Sequence, residues 1–181
     1  MNTGGVQMTE STKSQKREWI ESIIIAIIIA IVIKAFVFET VLVDGYSMLP
    51  TLKDKDRLAV VKIGYLFGVP EYGDIVVFKY PADPSLIFIK RVIGLEGDRV
   101  EIKNQRVYVN GAQLEEPYIN ERPVADFPEV VVPPDTVFVL GDNRNDSRDS
   151  RFSDVGFVPL ENIRGEAVGR MWPLPPKIIN R

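Results

Sequence analysis

The 181-residue chain contains no cysteine and no histidine. Without cysteine there are no disulfide frameworks, thiolate nucleophiles, zinc ribbons or iron–sulfur clusters. Without histidine, Ser-His-Asp and Cys-His catalysis and His-rich metal sites are excluded, together with the commonest general base near neutral pH. Any catalytic base must be Lys, Asp, Glu or Tyr. A basic excess is missing too. The 22 Lys and Arg against 25 Asp and Glu leave a net charge of −3 and a pI near 5.2, so nucleic acid is not an expected partner. No residue cluster calls for a metal or a cofactor. At a typical ~100–200 residues per domain, the length suits one domain plus an appendage.

The appendage is N-terminal. Met1 to Gln15 is polar and low in complexity and reads as disordered. Lys13, Lys16 and Arg17 then precede Trp19-Ile20-Glu21-Ser22, an unbroken apolar run from Ile23 to Ile33, Lys34, and Ala35-Phe36-Val37-Phe38. A membrane-spanning helix needs ~20 residues. Residues 19–38 supply that length, with Glu21 and Lys34 near its ends, where long side chains snorkel, and Trp19, Phe36 and Phe38 at belt positions. A cleavable signal peptide has an apolar core of ~7–15 residues, which Ile23–Ile33 would fit, but no small-x-small cleavage site follows. A buried helix of a soluble domain would show a polar stripe, and this run has none. The expectation is a cytoplasmic tail (1–18), a transmembrane anchor (19–38) and an extracytoplasmic domain (39–181), oriented by the basic cluster through the positive-inside rule.

Beyond Glu39 the pattern becomes short β-rich runs: Val41–Val43, Leu58–Ile63, Asp74–Tyr80, Leu86–Ile93, Arg99–Lys103, Arg106–Val109, Val130–Val132, Thr136–Leu140 and Glu166–Trp172. Asn110-Gly111 is the sharpest hairpin signal, because a type I′ turn needs positive φ at both central residues. Pro159–Ile163 reads as a single helical turn, and Glu115–Glu129, with three prolines, as an extended excursion. No long helical period follows Phe38. The expectation is an all-β barrel or sandwich behind a single helix.

With His and Cys absent, the chemistry must come from a Ser or Thr nucleophile and most readily a Lys base. Lysine has a reference pKa of ~10.4, and lowering it by about three units means disfavouring the ammonium by about 4 kcal/mol, which burial in an apolar wall can do. Most lysines have polar or loop neighbours and read as solvated. Lys90 differs: in Leu86-Ile87-Phe88-Ile89-Lys90-Arg91-Val92-Ile93, strand alternation sets it beside Leu86, Phe88 and Val92. It equally fits an edge-strand charge that discourages aggregation. Ser47, in Val43-Asp44-Gly45-Tyr46-Ser47-Met48-Leu49-Pro50, lies where a strand gives way to a turn. By itself it reads as a turn or capping serine. Neither a Gly-x-Ser-x-Gly elbow nor a Ser-x-x-Lys motif is present. The run Gly141 to Arg151 is rich in Asp, Asn and Arg but lacks EF-hand spacing, and reads as a polar turn tied by Asp–Arg pairs.

Taken together, four segments resemble the boxes of bacterial type I signal peptidases, membrane-bound Ser/Lys proteases that remove signal peptides from exported proteins. They are Gly45–Leu52, Tyr72–Val77, Phe88–Asp98 and Gly141–Arg151, in the family's order, and the likeness runs from Glu18 to Pro173. The resemblance implies a signal-peptidase-like β fold, with Ser47 as nucleophile and Lys90 as general base. It implies that Ser147 orients the lysine amine and that Asp149 and Arg151 form a structural salt bridge. The family preference for small residues at substrate positions −1 and −3 implies shallow apolar pockets, for which Val43, Met48, Leu52, Phe88 and Ile89 are the candidates. The implied partners are signal peptides of secreted preproteins, bound as an added β-strand, and membrane lipids; the implied location is the cell membrane. Some members carry a serine, which helps form the oxyanion hole, where this chain has Gly45, leaving the Ser47 main-chain N–H together with a water or another main-chain donor. Rival readings are a self-cleaving Ser/Lys repressor-type peptidase and a non-catalytic anchored binding module or inactive homologue. The anchor stands where the first would need a DNA-binding segment, and the Ser47/Lys90/Ser147 set argues against the second.

Overall fold

The computed structural model describes residues 8–62 and 69–179, with the side chains of 8–16 and 32–36 also outside the description. It divides into two units, Met1–Val37 and Phe38–Arg181. The first is a single helix, α1, over Met8–Phe36. Met8 to Gln15, expected to be disordered, is therefore helical, since nothing in that stretch breaks a helix; residues 1–7 of the expected tail lie outside the described residues. Among the described residues no helix is long and apolar enough to cross a membrane, the side chains of α1 being described from 17 to 31.

The second unit is mostly β. Its strands are β1 (Phe38–Leu42), β2 (Arg57–Val61), β3 (Ile75–Tyr80), β4 (Asp83–Gly94), β5 (Arg99–Lys103), β6 (Arg106–Val109), β7 (Ala112–Gln113), β8 (Phe127–Val131), β9 (Thr136–Leu140), β10 (Val158–Pro159), β11 (Ile163–Trp172) and β12 (Lys177–Ile178). Eight form one sheet in the order β1-β2-β11-β3-β4-β9-β10, with β12 added to β11, and four form a second in the order β7-β6-β5-β8. The path is open at β1 and β10 among the described residues, so the arrangement is two sheets and not a closed barrel. The sheets share a core: Val100, Ile102 and Val107 of the small sheet pack with Ile93, Phe138 and Leu140 of the large one.

Residue pattern accounts for most of this. Ile75, Val76, Val77 and Phe78 are all buried, the continuous apolar run of a central strand covered on both faces. Asn110 (φ 52°) and Gly111 (φ 79°) both adopt positive φ and turn β6 into β7. The expected strand Val41–Val43 lies earlier, at β1, because Val43 leaves the ladder to give its N–H to Asp56 O. β8 likewise begins earlier than Val130, taking the end of the proline-rich excursion against β5. The two-residue strands β10 and β12 went unanticipated, being too short to show alternation. The expected turn near Pro159 is a 3-10 turn over Leu160–Asn162. Ile63, the expected end of the second strand, lies outside the described residues.

β4 positions the site. Its first half, Asp83 to Leu86, is exposed, and from Ile89 to Gly94 it is buried. It pairs with β3 from Ile87 through Arg91 but meets β9 only from Arg91 onward, opposite Leu140. Lys90 therefore stands where the strand enters the core and just before its second edge becomes paired. Phe78 of β3 is fully buried and packs edge-on against Phe88 of β4 at 6.1 Å, holding that segment from behind. Phe78→Ala should destabilise the chain by about 3–5 kcal/mol in urea unfolding in detergent. A loss under about 1 kcal/mol would contradict this packing role.

Candidate active site

Ser47 occupies a tight turn after β1. Leu49 N–H donates to Tyr46 O at 3.1 Å and Leu52 N–H to Met48 O at 2.9 Å, while Gly45 N–H donates to the Asp54 carboxylate at 2.9 Å. Gly45 has φ of +100°, a conformation that favours glycine and gives the chain its sharp exit from the strand. The Ser47 main-chain N–H makes no hydrogen bond among the described residues. Ser47 itself is half-buried and faces a cleft of about 540 Å³.

Across that cleft, Lys90 Nζ lies 2.7 Å from Ser47 Oγ and donates to Ile89 O at 3.0 Å. The lysine is 4% exposed, and its Nζ lies 5.2 Å from the Phe88 ring centre. Burial brings its pKa down from 10.5 to about 8, against the pull of the Asp149 and Asp142 carboxylates, which favour the ammonium. Each carboxylate carries its own guanidinium. Arg91 binds Asp142 through Nε at 2.9 Å and Nη2 at 2.8 Å, both side chains being fully buried. Arg151 binds Asp149 in the same forked manner at 2.7 and 2.8 Å. Neither acid presents a bare charge to Lys90, so desolvation dominates.

The loop from Gly141 to Arg151 fastens the turn that carries Ser47. Asn143 N–H donates to Ser47 O at 3.0 Å, its side-chain amide donates to Tyr46 O at 3.2 Å, and the Thr51 hydroxyl donates to Asp142. Asp149 accepts the Gly141 N–H at 3.0 Å, and Ser150 Oγ accepts the Val139 N–H at 2.9 Å, seating the loop on β9. A Cβ on Gly141 would stand 2.1 Å from Ser147 Oγ and 2.5 Å from Ser47 O, so only glycine lets the loop approach the turn this closely.

Of the residues expected from sequence, Ser47 and Lys90 meet, and Asp149 and Arg151 pair. Ser147 Oγ is buried beside Gly141 and has no hydrogen-bond partner among the described residues, so there is no Ser147–Lys90 hydrogen bond. Val43, Met48, Phe88 and Ile89 line the cleft. Leu52 does not; it is 1% exposed within the core under the turn, drawn there by the Leu52–Met48 main-chain hydrogen bond. Sequence reading missed Arg91, Asp142, Asn143 and Thr51 as a group. Arg91 and Asp142 stood within noted segments, but the pairing of Thr51 with a residue 91 positions away leaves no local signal. Among the described residues no His, Cys, Asp or Glu grouping could hold a metal ion.

The family model described as signal peptidase, peptidase S26, matches residues 16–172. A signal peptidase I from Leptolyngbya laminosa is 47% identical over 165 residues, covering 87% of this chain and 80% of the relative. A probable signal peptidase I-2 from Synechocystis sp. is 44% identical over 181 residues, covering 94% and 82% respectively. The crystal structure of a signal peptidase I from Enterococcus faecalis aligns with a TM-score of 0.49 at 34% identity, over 54% of this chain and 96% of that one.

The depressed lysine also makes stability depend on pH. The unfolded chain holds the lysine proton up to about 10.5 and the folded chain releases it near 8, so across that window the unfolded state binds more protons. Folding stability then rises with pH from about 8 to 10.5 and this contribution is flat below 8. The stability of wild type relative to Lys90→Met, measured by denaturant unfolding, should rise across this window. A difference that is constant or falls would contradict the burial argument.

Proposed function

The chain belongs to the signal peptidase S26 family, and from that premise we propose that Ser47 and Lys90 form the dyad with which it cleaves signal peptides. It is a serine endopeptidase acting on signal-peptide substrates. The observation that carries the dyad reading is the 2.7 Å contact between a desolvated lysine amine and a serine hydroxyl at the wall of a cleft.

In this reading neutral Lys90 takes the proton from Ser47 Oγ as Oγ attacks the scissile carbonyl. Lys90 then hands that proton to the leaving amine, and later activates the water that hydrolyses the acyl-enzyme. A lysine near 8 serves both steps, since a useful fraction is neutral at physiological pH and its conjugate acid remains able to donate. The unspent N–H of Ser47 is the oxyanion donor, and at Gly45 no side chain adds a second. Ser147, whose buried hydroxyl has no other partner, receives the lysine amine once Ser47 is acylated. Asp149 and Arg151 hold the loop in place. Val43, Met48, Phe88 and Ile89 shape the apolar subsites for small substrate side chains.

Residues 19–38 anchor this domain to the cell membrane, with 1–18 in the cytoplasm and 39–181 on the far side. Support comes from α1, which carries residues 19–36 of this segment, about 27 Å at 1.5 Å per residue against a ~30 Å hydrocarbon core, while Phe38 opens β1. Its large apolar side chains from Trp19 to Ile31 are all half or more exposed, without a polar stripe. Ser47 follows only nine residues after Phe38, so the chain between them spans at most about 30 Å.

Cleavage of a purified preprotein tests the dyad. Ser47→Ala and Lys90→Met should each lower kcat/KM by about 10³-fold or more. Cleavage within tenfold of wild type by either variant would remove that residue from its role.

A further inference from the structure

Thr51 and Arg91, each within four residues of the Ser47/Lys90 pair, also line a second cavity, of about 710 Å³. Its remaining charged walls are Lys53 beyond the nucleophile turn, Arg170 on β11 and Lys177 on β12, and among the described residues no carboxylate lines it. Arg91 is spent on Asp142 and on Gly73 O, and Tyr118 covers its guanidinium at 3.9 Å. Lys53, Arg170 and Lys177 have no acidic partner among the described residues.

Two features separate this group from ordinary surface lysines. Arg170 and Lys177 are register partners across β11 and β12, and like charges directly opposite one another are destabilising. Arg170 Nε is also buried with no hydrogen-bond partner among the described residues, where the guanidinium's hydrogen bond is Nη2 to Pro175 O at 3.4 Å. A buried guanidinium N–H without an acceptor is costly, and an oxyanion answers both costs together. It offers two or more acceptors to the planar fork of Arg170 and neutralises the opposed pair.

We propose that this cavity binds a phosphate-class anion, held by Arg170 with Lys53 and Lys177. Phosphate can come free in solution or as a lipid headgroup. The exposed apolar residues Trp172 and Leu174, close to it in sequence, together with Ile178 in its wall, give acyl chains a surface beside it. The proposal is independent of the catalytic dyad, because none of the three holding residues belongs to it.

Lysine acylation followed by mass spectrometry tests the site in the full chain. In neutral detergent, inorganic phosphate should slow acylation of Lys53 and Lys177 by about threefold or more relative to chloride at equal ionic strength. The exposed Lys79 and Lys103 serve as references that should not change. In bilayers without added phosphate, phosphatidylcholine containing phosphatidylglycerol is compared with phosphatidylcholine alone; protection there identifies a headgroup, and protection only in the first arm identifies a soluble anion. Arg170→Met should abolish protection in whichever arm shows it. Should that variant not fold, Lys177→Gln with Lys53 as the readout takes its place. Protection in neither arm, or protection undiminished in the variant, would overturn the proposal.

Discussion

The catalytic domain depends on keeping one amine dry. In the proposed dyad Lys90 serves Ser47 only if its ammonium is disfavoured, and the surrounding structure disfavours it. β4 carries the lysine to the point where the strand passes from solvent into the core. Phe88 covers it on the same face, and Phe78 backs Phe88 from β3. Two carboxylates stand close enough to favour the charged form again, and each is bound by a guanidinium in forked geometry. The arginines therefore matter for Lys90 as well as for the loop: they limit the field that Asp142 and Asp149 would otherwise project onto the amine.

The same ion pairs carry the mechanical organisation. Asp142 joins Arg91 of β4 to Thr51 of the turn that carries Ser47, and Asn143, one residue on, holds Ser47 and Tyr46 by their carbonyls. Lys90, Ser47 and the loop between them are thus one hydrogen-bonded body despite sequence separations of 43 and 91 residues. Such an arrangement tolerates little slack, and Gly141, where a single added carbon would meet both Ser147 and Ser47, marks how closely the parts are set.

Much of this was legible in the sequence. The absence of His and Cys directed attention to lysine, and β-strand alternation put Lys90 on an apolar face beside Phe88, where the structure has it. The Asn110-Gly111 hairpin followed from backbone sterics alone. What escaped was non-local or too short for a pattern. Leu52 looked like a pocket residue by position in its motif, but the turn of the chain at Met48 carries it into the core. β10 and β12 are two residues each. The Thr51–Asp142 contact and the opposition of Arg170 and Lys177 depend on which strands meet, which residue order does not reveal.

The most direct measurement is the titration of Lys90 itself, by NMR of the side-chain Cε and Nζ in lysine-labelled protein, assigned by comparison with Lys90→Met. The structure predicts a midpoint of about 8. A midpoint at the ordinary lysine value near 10.5 would contradict the claim that burial makes this residue a base.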